Sequence, residues 1–148
     1  MLHTEKIRIL LVNDDKRVCD VLGIILESRG YEVDVACTGD EAIEKSKTNA
    51  YNLAVLDTGL PDIESQKLLE TMHESSPKMI RIIGTEIIRL QDALEAFNDC
   101  ADGYFAKPVE PVRLISMIEE KLEEQKDVKK ARGKKPTAHV ESNMRKLL

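Results

Sequence analysis

Short apolar runs alternate along the chain with stretches of helical periodicity, and this alternation limits the folds open to it. Five such runs begin at intervals of 25, 21, 26 and 25 residues, about the length of one strand, one helix and two short loops. Repeated strand and helix units predict a parallel sheet covered by helices on both faces. The five predicted strands are IRILLV from Ile7, EVDVA from Glu32, LAVL from Leu53, MIRII from Met79 and YFA from Tyr104.

The segments between these runs carry apolar residues at helical spacing. From Val18 to Leu26 the apolar positions fall at i, i+4, i+7 and i+8, and this helix is expected to end at the glycine of SRGY. Thr38 or Asp40 is a candidate N-cap for the second helix, and Pro111 suits the first turn of the last helix. The other helices are predicted over 40–48, 65–75, 87–98 and 111–124.

Composition favours one compact domain in the cytoplasm. The 148 residues, 42% of them apolar, suffice for one hydrophobic core, and the 3% aromatic content argues against a surface that stacks single-stranded bases. No apolar stretch approaches the length of a membrane span, and the start, MLHTEKIRIL, lacks a secretory apolar region. The three cysteines have no C-x-x-C spacing, so we expect free, largely buried thiols and no zinc site.

The net charge of −5 hides an uneven distribution. Residues 126–148 contain 8 Lys and Arg but only 2 Asp and Glu, so a basic tail follows an acidic body. The tail also loses the apolar period and contains Gly133 and Pro136, which predicts a flexible extension after a brief continuation of the last helix. We therefore divide the chain into a domain over 1–125 and a basic, flexible tail over 126–148.

Polar residues follow four of the predicted strands. Asn13-Asp14-Asp15 comes after the first strand, Asp57 ends the third, Gly84-Thr85 follows the fourth and Lys107-Pro108 follows the fifth. Right-handed crossovers place the carboxyl ends of all strands on one edge, where ligands bind in open α/β sheets. An isolated aspartate after a strand is usually a turn former or a helix cap, but this coincidence favours a functional site.

The residue types at this edge predict phosphoryl-transfer chemistry. If the first and third strands are neighbours, Asp14 and Asp57 face each other and repel unless a cation lies between them. Mg²⁺ bound by both carboxylates and by one carbonyl is the simplest solution. Lys107 would supply positive charge and Thr85 a hydroxyl donor to a phosphoryl group. An oxygen of Asp57 could then attack phosphorus to make an acyl phosphate, without a separate base.

Four ordered motifs resemble the receiver domain of two-component response regulators over residues 6–124. They are ILLVNDD, LDTGLPD, IIGT and DGYFAKP. The resemblance implies a flavodoxin-like, doubly wound sheet of five parallel strands in the order 2-1-3-4-5. It implies that Asp57 is the phosphoacceptor and that Asp14, Asp57 and the Gly59 carbonyl bind the metal ion. It also implies that Lys107 and Thr85 contact the phosphoryl group and that Thr85 and Tyr104 form the switch pair. The Lys107-Pro108 peptide bond is expected to be cis.

Three positions depart from the family pattern. Asn13 stands where the family usually has another acid, and the loss of one negative charge should weaken metal binding. Asp15 could compensate in part. Alternatively, the motif could be shifted by one residue, so that Asp14 and Asp15 form the acidic pair. Glu86 stands where a small residue is common, and either crowds the phosphoryl group or faces solvent. Ser65 replaces a usual glycine, so strain or a shifted turn is expected if that position needs a positive φ.

The sequence thus predicts a phosphorylation-dependent signalling switch. A sensor histidine kinase or phosphotransfer protein would phosphorylate Asp57 with Mg²⁺ bound, and output would occur by binding a downstream effector protein or by homodimerisation. Such a protein is not an enzyme in the usual sense and catalyses at most its own phosphorylation and dephosphorylation. The alternatives are a binding module of the same fold that has lost phosphorylation control and, less favoured, a nucleic-acid accessory protein acting through the basic tail.

Overall fold

A computed structural model describes residues 6–86, 91, 101–108 and 110–131. Strands and helices alternate through this part of the chain, as the apolar pattern predicts. The strands are β1 (Arg8–Val12), β2 (Glu32–Ala36), β3 (Leu53–Asp57), β4 (Ile80–Thr85) and β5 (Gly103–Ala106). The helices are α1 (Lys16–Ser28), α2 (Gly39–Thr48), α3 (Ser65–Ser75) and α4 (Pro111–Ala131).

The strands form a five-stranded sheet in the order β2-β1-β3-β4-β5, and all pairings are parallel. The central strand β3 is fully buried up to Leu56, with Val12 paired to Leu56 on one side and Gly84 paired to Asp57 on the other. This architecture confirms the predicted doubly wound, flavodoxin-like fold. It brings the ends of β1, β3 and β4 next to one another.

Each face of the sheet carries its own apolar core, because successive strand residues point to opposite faces. Leu10, Val12, Ala54, Leu56 and Ile83 pack with α2 and α3 on one face. The alternate strand residues Ile9, Leu11, Leu53, Val55 and Ile82 pack with α1 and α4 on the other face. Asp57 continues the alternation of Leu53 and Val55, so it belongs to the α1 and α4 face.

Local signals fix where the helices begin and end. The side chain of Asp15 caps α1, and the helix ends before Gly30, which has a φ of +93°. Thr38, one of the two candidates, caps α2 by accepting a hydrogen bond from the backbone N–H of Glu41. The last helix begins at Pro111 as predicted and continues to Ala131, beyond the predicted end at 124.

Part of the predicted structure falls outside the described residues. The predicted helix over 87–98 lies, apart from residue 91, outside the described residues, and so do residues 132–148 of the basic tail. Cys19 and Cys37 are free thiols, but only Cys19 is buried. The expectation of largely buried thiols is therefore wrong for Cys37, which follows β2 at the exposed edge of the sheet.

Candidate phosphoacceptor site

The carboxyl edge of the sheet collects the site residues that the sequence predicts. Asp57 is the last residue of β3, Thr85 the last of β4, and Asp14 follows β1 by two positions. Lys107 follows β5, and its backbone N–H donates to the carbonyl of Thr85 at 3.0 Å. The parallel registers of β1, β3, β4 and β5 thus place two acids, one hydroxyl and one lysine at the same edge of the sheet.

Asp57 and Lys107 form a close ion pair. The Lys107 Nζ lies 2.6 Å from Asp57 Oδ1, and their side chains are 25% and 12% exposed. The same ammonium donates to the carbonyl of Thr58 at 2.9 Å. The Lys107–Pro108 peptide bond is cis, as the resemblance implies. The lysine therefore faces the carboxylate from the neighbouring loop and pairs with a buried carboxylate oxygen.

Burial dominates the electrostatics of Asp57. It raises the pKa of the Asp57 carboxyl above its usual value, because the charged form loses hydration. The Lys107 ammonium acts in the opposite direction, while the charges of Asp14 and Glu86 raise the pKa further. Burial thus disfavours the charged form of Asp57 even beside Lys107, and a second cation between Asp57 and Asp14 would stabilise that form.

The loop after Asp57 turns sharply at Gly59. Gly59 has a φ of +89°, a backbone conformation that glycine adopts without strain. Its N–H donates to the Ser65 hydroxyl at 3.3 Å, and the Thr58 N–H and hydroxyl both donate to the carbonyl of Gly84. Ser65 is the first residue of α3 and has helical backbone. Serine in the place of the usual glycine therefore causes no left-handed backbone at 65.

Asn13 and Asp15 build the turn that leads into α1. The Asn13 side-chain oxygen accepts from the Asp15 N–H at 2.8 Å, and Asp15 Oδ1 accepts from the Arg17 N–H at 3.0 Å. Asp15 is thus engaged as the cap of α1, and β1 ends at Val12 without the register slip considered above. Asp14 is the exposed acid of this turn whose charge acts on Asp57.

The donor set suits a hard divalent cation that keeps most of its waters. Mg²⁺ binds carboxylate and carbonyl oxygens and is usually held by one or two carboxylates. Asp14, Asp57 and the Gly59 carbonyl provide that chemistry. Among the described residues, no three or more His, Cys, Asp or Glu side chains converge, so a site with a larger acidic ligand set is not formed there.

Thr85 and Tyr104 occupy neighbouring strands beside this point. Thr85 is 4% exposed at the end of β4. Tyr104 in the edge strand β5 pairs with Ile83 and packs, half-buried, against the core on the α2 and α3 face. Glu86 is exposed after Thr85, which agrees with the solvent-facing alternative, although its charge still acts on Asp57.

Sequence reasoning missed the close packing beside Thr85. A Cβ added at Gly84 would lie 2.4 Å from the ring of Phe105, so the aromatic ring rests directly on the backbone of β4. A glycine inside a strand is the signal that could have indicated such an approach. Phe105 also lines an apolar cavity of about 350 Å³ between α1 and the sheet, with Asp57, Lys107 and Pro108 in its wall.

The sequence profile described as "Response regulator receiver domain" matches residues 9–119. The chain belongs to the response regulator receiver domain family. Receiver domains generally bind Mg²⁺ at the phosphorylation site and interact with histidine kinases and effector domains. The fold, the order of the strands and the motifs at their carboxyl ends all agree with this membership.

Individual relatives support the same assignment. Regulatory protein VanRB of Enterococcus faecalis is 34% identical over 113 residues, which are 76% of this chain and 51% of that protein. A CheY-like receiver domain protein from Methanospirillum hungatei is 41% identical, with a TM-score of 0.77 over 83% of this chain and 98% of the other. The BeF3-activated DrrB receiver domain is 26% identical, with a TM-score of 0.71 over 80% and 98%.

The chain spans about half the length of the curated relatives it matches. The match therefore covers only part of those proteins, and what the whole proteins do is not shown for this chain. Within the described part of this receiver domain, no helix combines the length and the apolarity needed to cross a bilayer.

Proposed function

We propose that this receiver domain is a signalling switch that accepts a phosphoryl group on Asp57 from a sensor histidine kinase or a phosphotransfer protein. The observation that carries the proposal is the half-buried Asp57 carboxylate, held 2.6 Å from the Lys107 ammonium at the carboxyl edge of the sheet. Family membership and the relative described as BeF3-activated support it. The free thiols of Cys19 and Cys37 favour action in the cytoplasm.

The residues of the site have distinct parts in the proposed transfer. A carboxylate oxygen of Asp57 attacks phosphorus, a new O–P bond forms, and the bond from phosphorus to the donor's leaving group breaks with its electron pair. Lys107 neutralises charge on the phosphoryl oxygens, and the Thr85 hydroxyl donates a hydrogen bond to one of them. Asp57, Asp14 and the Gly59 carbonyl would hold Mg²⁺, which when bound neutralises phosphoryl charge.

Phosphorylation would be transmitted through β4 and β5. The new group carries about −1.5 to −2 charge, which attracts Lys107 and the Thr85 hydroxyl. Tyr104 of β5 packs, half-buried, against the core on the α2 and α3 face. The resemblance to the family makes its ring the proposed second member of the switch. The output surface would include Tyr104 and α4 together with the segment 87–98, and would bind a downstream effector or a second copy of the chain.

A second candidate is a receiver domain that binds partners without phosphorylation control. It is favoured by Asn13, whose side-chain oxygen is bonded to the Asp15 N–H and which adds no negative charge to the site. The pairing of Asp57 with Lys107 also gives the acid a cation in the absence of a metal ion. This candidate predicts weak Mg²⁺ binding and no stable acyl phosphate.

Intact-mass measurement separates the two candidates. The protein is incubated with Mg²⁺ and a small-molecule phosphodonor such as acetyl phosphate, in parallel with Asp57→Asn and with a sample containing a chelator. The switch predicts a gain of one phosphoryl group by the wild type alone, and only with Mg²⁺ present. No gain by the wild type at high Mg²⁺ would overturn the proposal in favour of the second candidate.

A further inference from the structure

Asp62 ties the loop that follows the phosphoacceptor to the first turn of α2. Its Oδ1 accepts a hydrogen bond from the Gly39 N–H at 2.9 Å, and its Oδ2 accepts one from the Asp40 N–H at 3.0 Å. The first N–H groups of a helix have no partner within the helix and attract negative charge. The next amide, Glu41 N–H, is bonded to Thr38, so Asp62 completes a cap that the helix's own residues leave unfinished.

An apolar contact between the same two elements reinforces this bond pair. A Cβ placed on Gly39 would lie 2.0 Å from Ile63 Cγ2 and 3.1 Å from Ile63 Cβ. The side chain of Ile63 therefore rests on the backbone of α2 at the point where only glycine leaves room. The residue pair Asp62-Ile63 holds the loop by a charged contact and by a packed contact at once.

The anchored pair lies very close to the proposed metal ligand. Asp62 follows Gly59 by three residues, and this short stretch of chain spans about 10 Å at most. The intervening Leu60 is buried in the core on the α2 and α3 face, and the Gly59 N–H is bonded to Ser65. With both ends and the middle of the loop fixed, the backbone at Gly59 has little freedom.

We propose that Asp62 is a positioning residue of the phosphorylation site, which holds the Gly59 carbonyl in place for Mg²⁺ by tethering its loop to α2. This inference rests on the proposed function, because it takes the Gly59 carbonyl as a metal ligand. Both carboxylate oxygens of Asp62 are bonded to amides of α2, so its role is indirect. Its effect reaches the site through three residues of backbone.

The tether is permanent at neutral pH. The hydrogen bonds from Gly39 and Asp40 lower the pKa of the Asp62 carboxyl. A carboxyl with a lowered pKa in the folded state stabilises the fold above its ordinary pKa of about 3.9 and loses that contribution as the pH falls through the lowered value. Asp62 is therefore a fixed structural anchor, not a switch in the physiological range.

Two variants of Asp62 and one matched control test the inference. Asp62→Ala removes both hydrogen bonds, and Asp62→Asn keeps one acceptor oxygen in the same shape. Thr38→Ala removes a cap of the same helix without touching the loop, so it reports what loss of α2 stability alone does. Thermal unfolding of all variants checks that they fold.

The first measurement is amide hydrogen exchange by NMR without Mg²⁺. Asp62→Ala is expected to lose protection at Gly39 and Asp40 and to keep it at Glu41, whereas Thr38→Ala should show the reverse pattern. The second measurement is a Mg²⁺ titration followed by the amide signals of Thr58 and Gly59. Asp62→Ala should bind Mg²⁺ about tenfold more weakly, the size of effect typical of residues that orient metal ligands, with Asp62→Asn in between and Thr38→Ala close to wild type.

The outcomes separate this inference from the proposed function. Equal Mg²⁺ affinity of wild type and Asp62→Ala, or equal weakening by Thr38→Ala, would overturn the positioning role while leaving the phosphoacceptor proposal intact. A wild type that binds no Mg²⁺ in the same titration would overturn the proposed metal site and the positioning role together. In Gly39→Ala, where the added methyl group displaces Ile63, the positioning role predicts weakened Mg²⁺ binding as well.

Discussion

At the scale of single residues, the site is an acid whose charge is only partly compensated. Burial raises the pKa of Asp57, Lys107 opposes that rise, and Asp14 and Glu86 add to it. The residues at strand ends could be predicted, because carboxyl ends of parallel strands share an edge. Asp62 could not, since its partners Gly39 and Asp40 lie 23 and 22 residues earlier and nothing local indicates that contact.

Replacing Lys107 by methionine tests the ion pair. Without the ammonium 2.6 Å from Asp57 Oδ1, the pKa of Asp57 should rise further, because burial and the neighbouring acids remain. Phosphorylation by a small-molecule donor should slow about 100-fold, the effect of losing one preorganised charge contact. An NMR pH titration and a phosphorylation time course measure both, with Lys67→Met at an exposed position of α3 as the control. An unchanged rate in Lys107→Met would contradict the assigned part of Lys107.

Glu86→Ala tests the negative charge beside Thr85. Its removal should lower the pKa of Asp57 and speed phosphorylation about threefold, because one like charge facing an anionic donor is gone. The gain should shrink between low and high salt, since Glu86 is exposed and its field is screened. A rate that is unaffected at low salt would show that this carboxylate only faces solvent.

At the scale of elements, the apolar alternation predicted the strands well and the packing between them poorly. EVDVA coincides with β2, and LAVL coincides with β3 up to its terminal acid. Strands can be predicted in this way because the apolar residues that bury a strand are consecutive in the sequence. The sequence predicts the last helix to 124 with a brief continuation, and α4 runs on to Ala131 although the polar segment after Gln125 lacks an apolar period. The contact of Gly84 with Phe105 joins two strands and has no local signature beyond the glycine itself.

Gly84→Ala is expected to destabilise the fold by about 1 to 3 kcal/mol. Its methyl group would meet the Phe105 ring at 2.4 Å, so the ring or the strand must shift. Phe105→Leu provides the space, and the double variant should therefore recover most of the loss. Denaturant unfolding of the two single variants and the double variant measures the coupling between them. Additive free energies of unfolding would contradict the close packing described for this pair.

At the scale of the whole molecule, charge separates the acidic receiver domain from the basic segment 126–148. The domain boundary near 125 remains a prediction, and the helix that crosses it shows that truncation after Gln125 would cut α4. Truncation after Ala131 is therefore the better test of a nucleic-acid role for the tail. Salt-dependent binding of nucleic acid that is lost in this truncation would favour the accessory-protein alternative.

Mg²⁺ should stabilise the whole domain in a pH-dependent manner. At neutral pH and at 100 times its dissociation constant, the ion should add about 2.7 kcal/mol to the free energy of unfolding. Because the pKa of Asp57 is raised, the neutral form of this group favours folding below the ordinary carboxyl pKa, and that contribution is lost as the pH rises through the raised value. As the pH is lowered, the Mg²⁺-induced rise in Tm should therefore disappear at a higher pH than it would at a site whose carboxylates have ordinary pKa values. The rise should be largely absent in Asp57→Asn.

The central claim is that Asp57 is the phosphoacceptor, and locating the phosphoryl group tests it most directly. After reaction with Mg²⁺ and a phosphodonor, borohydride reduces an aspartyl phosphate to an alcohol that marks the residue, and tandem mass spectrometry of peptides gives its position. The structure predicts one reduced residue, at 57, which disappears when Mg²⁺ is chelated. Reduction at Asp14, Asp15 or another acid instead, or no reduced residue at all, would contradict the account.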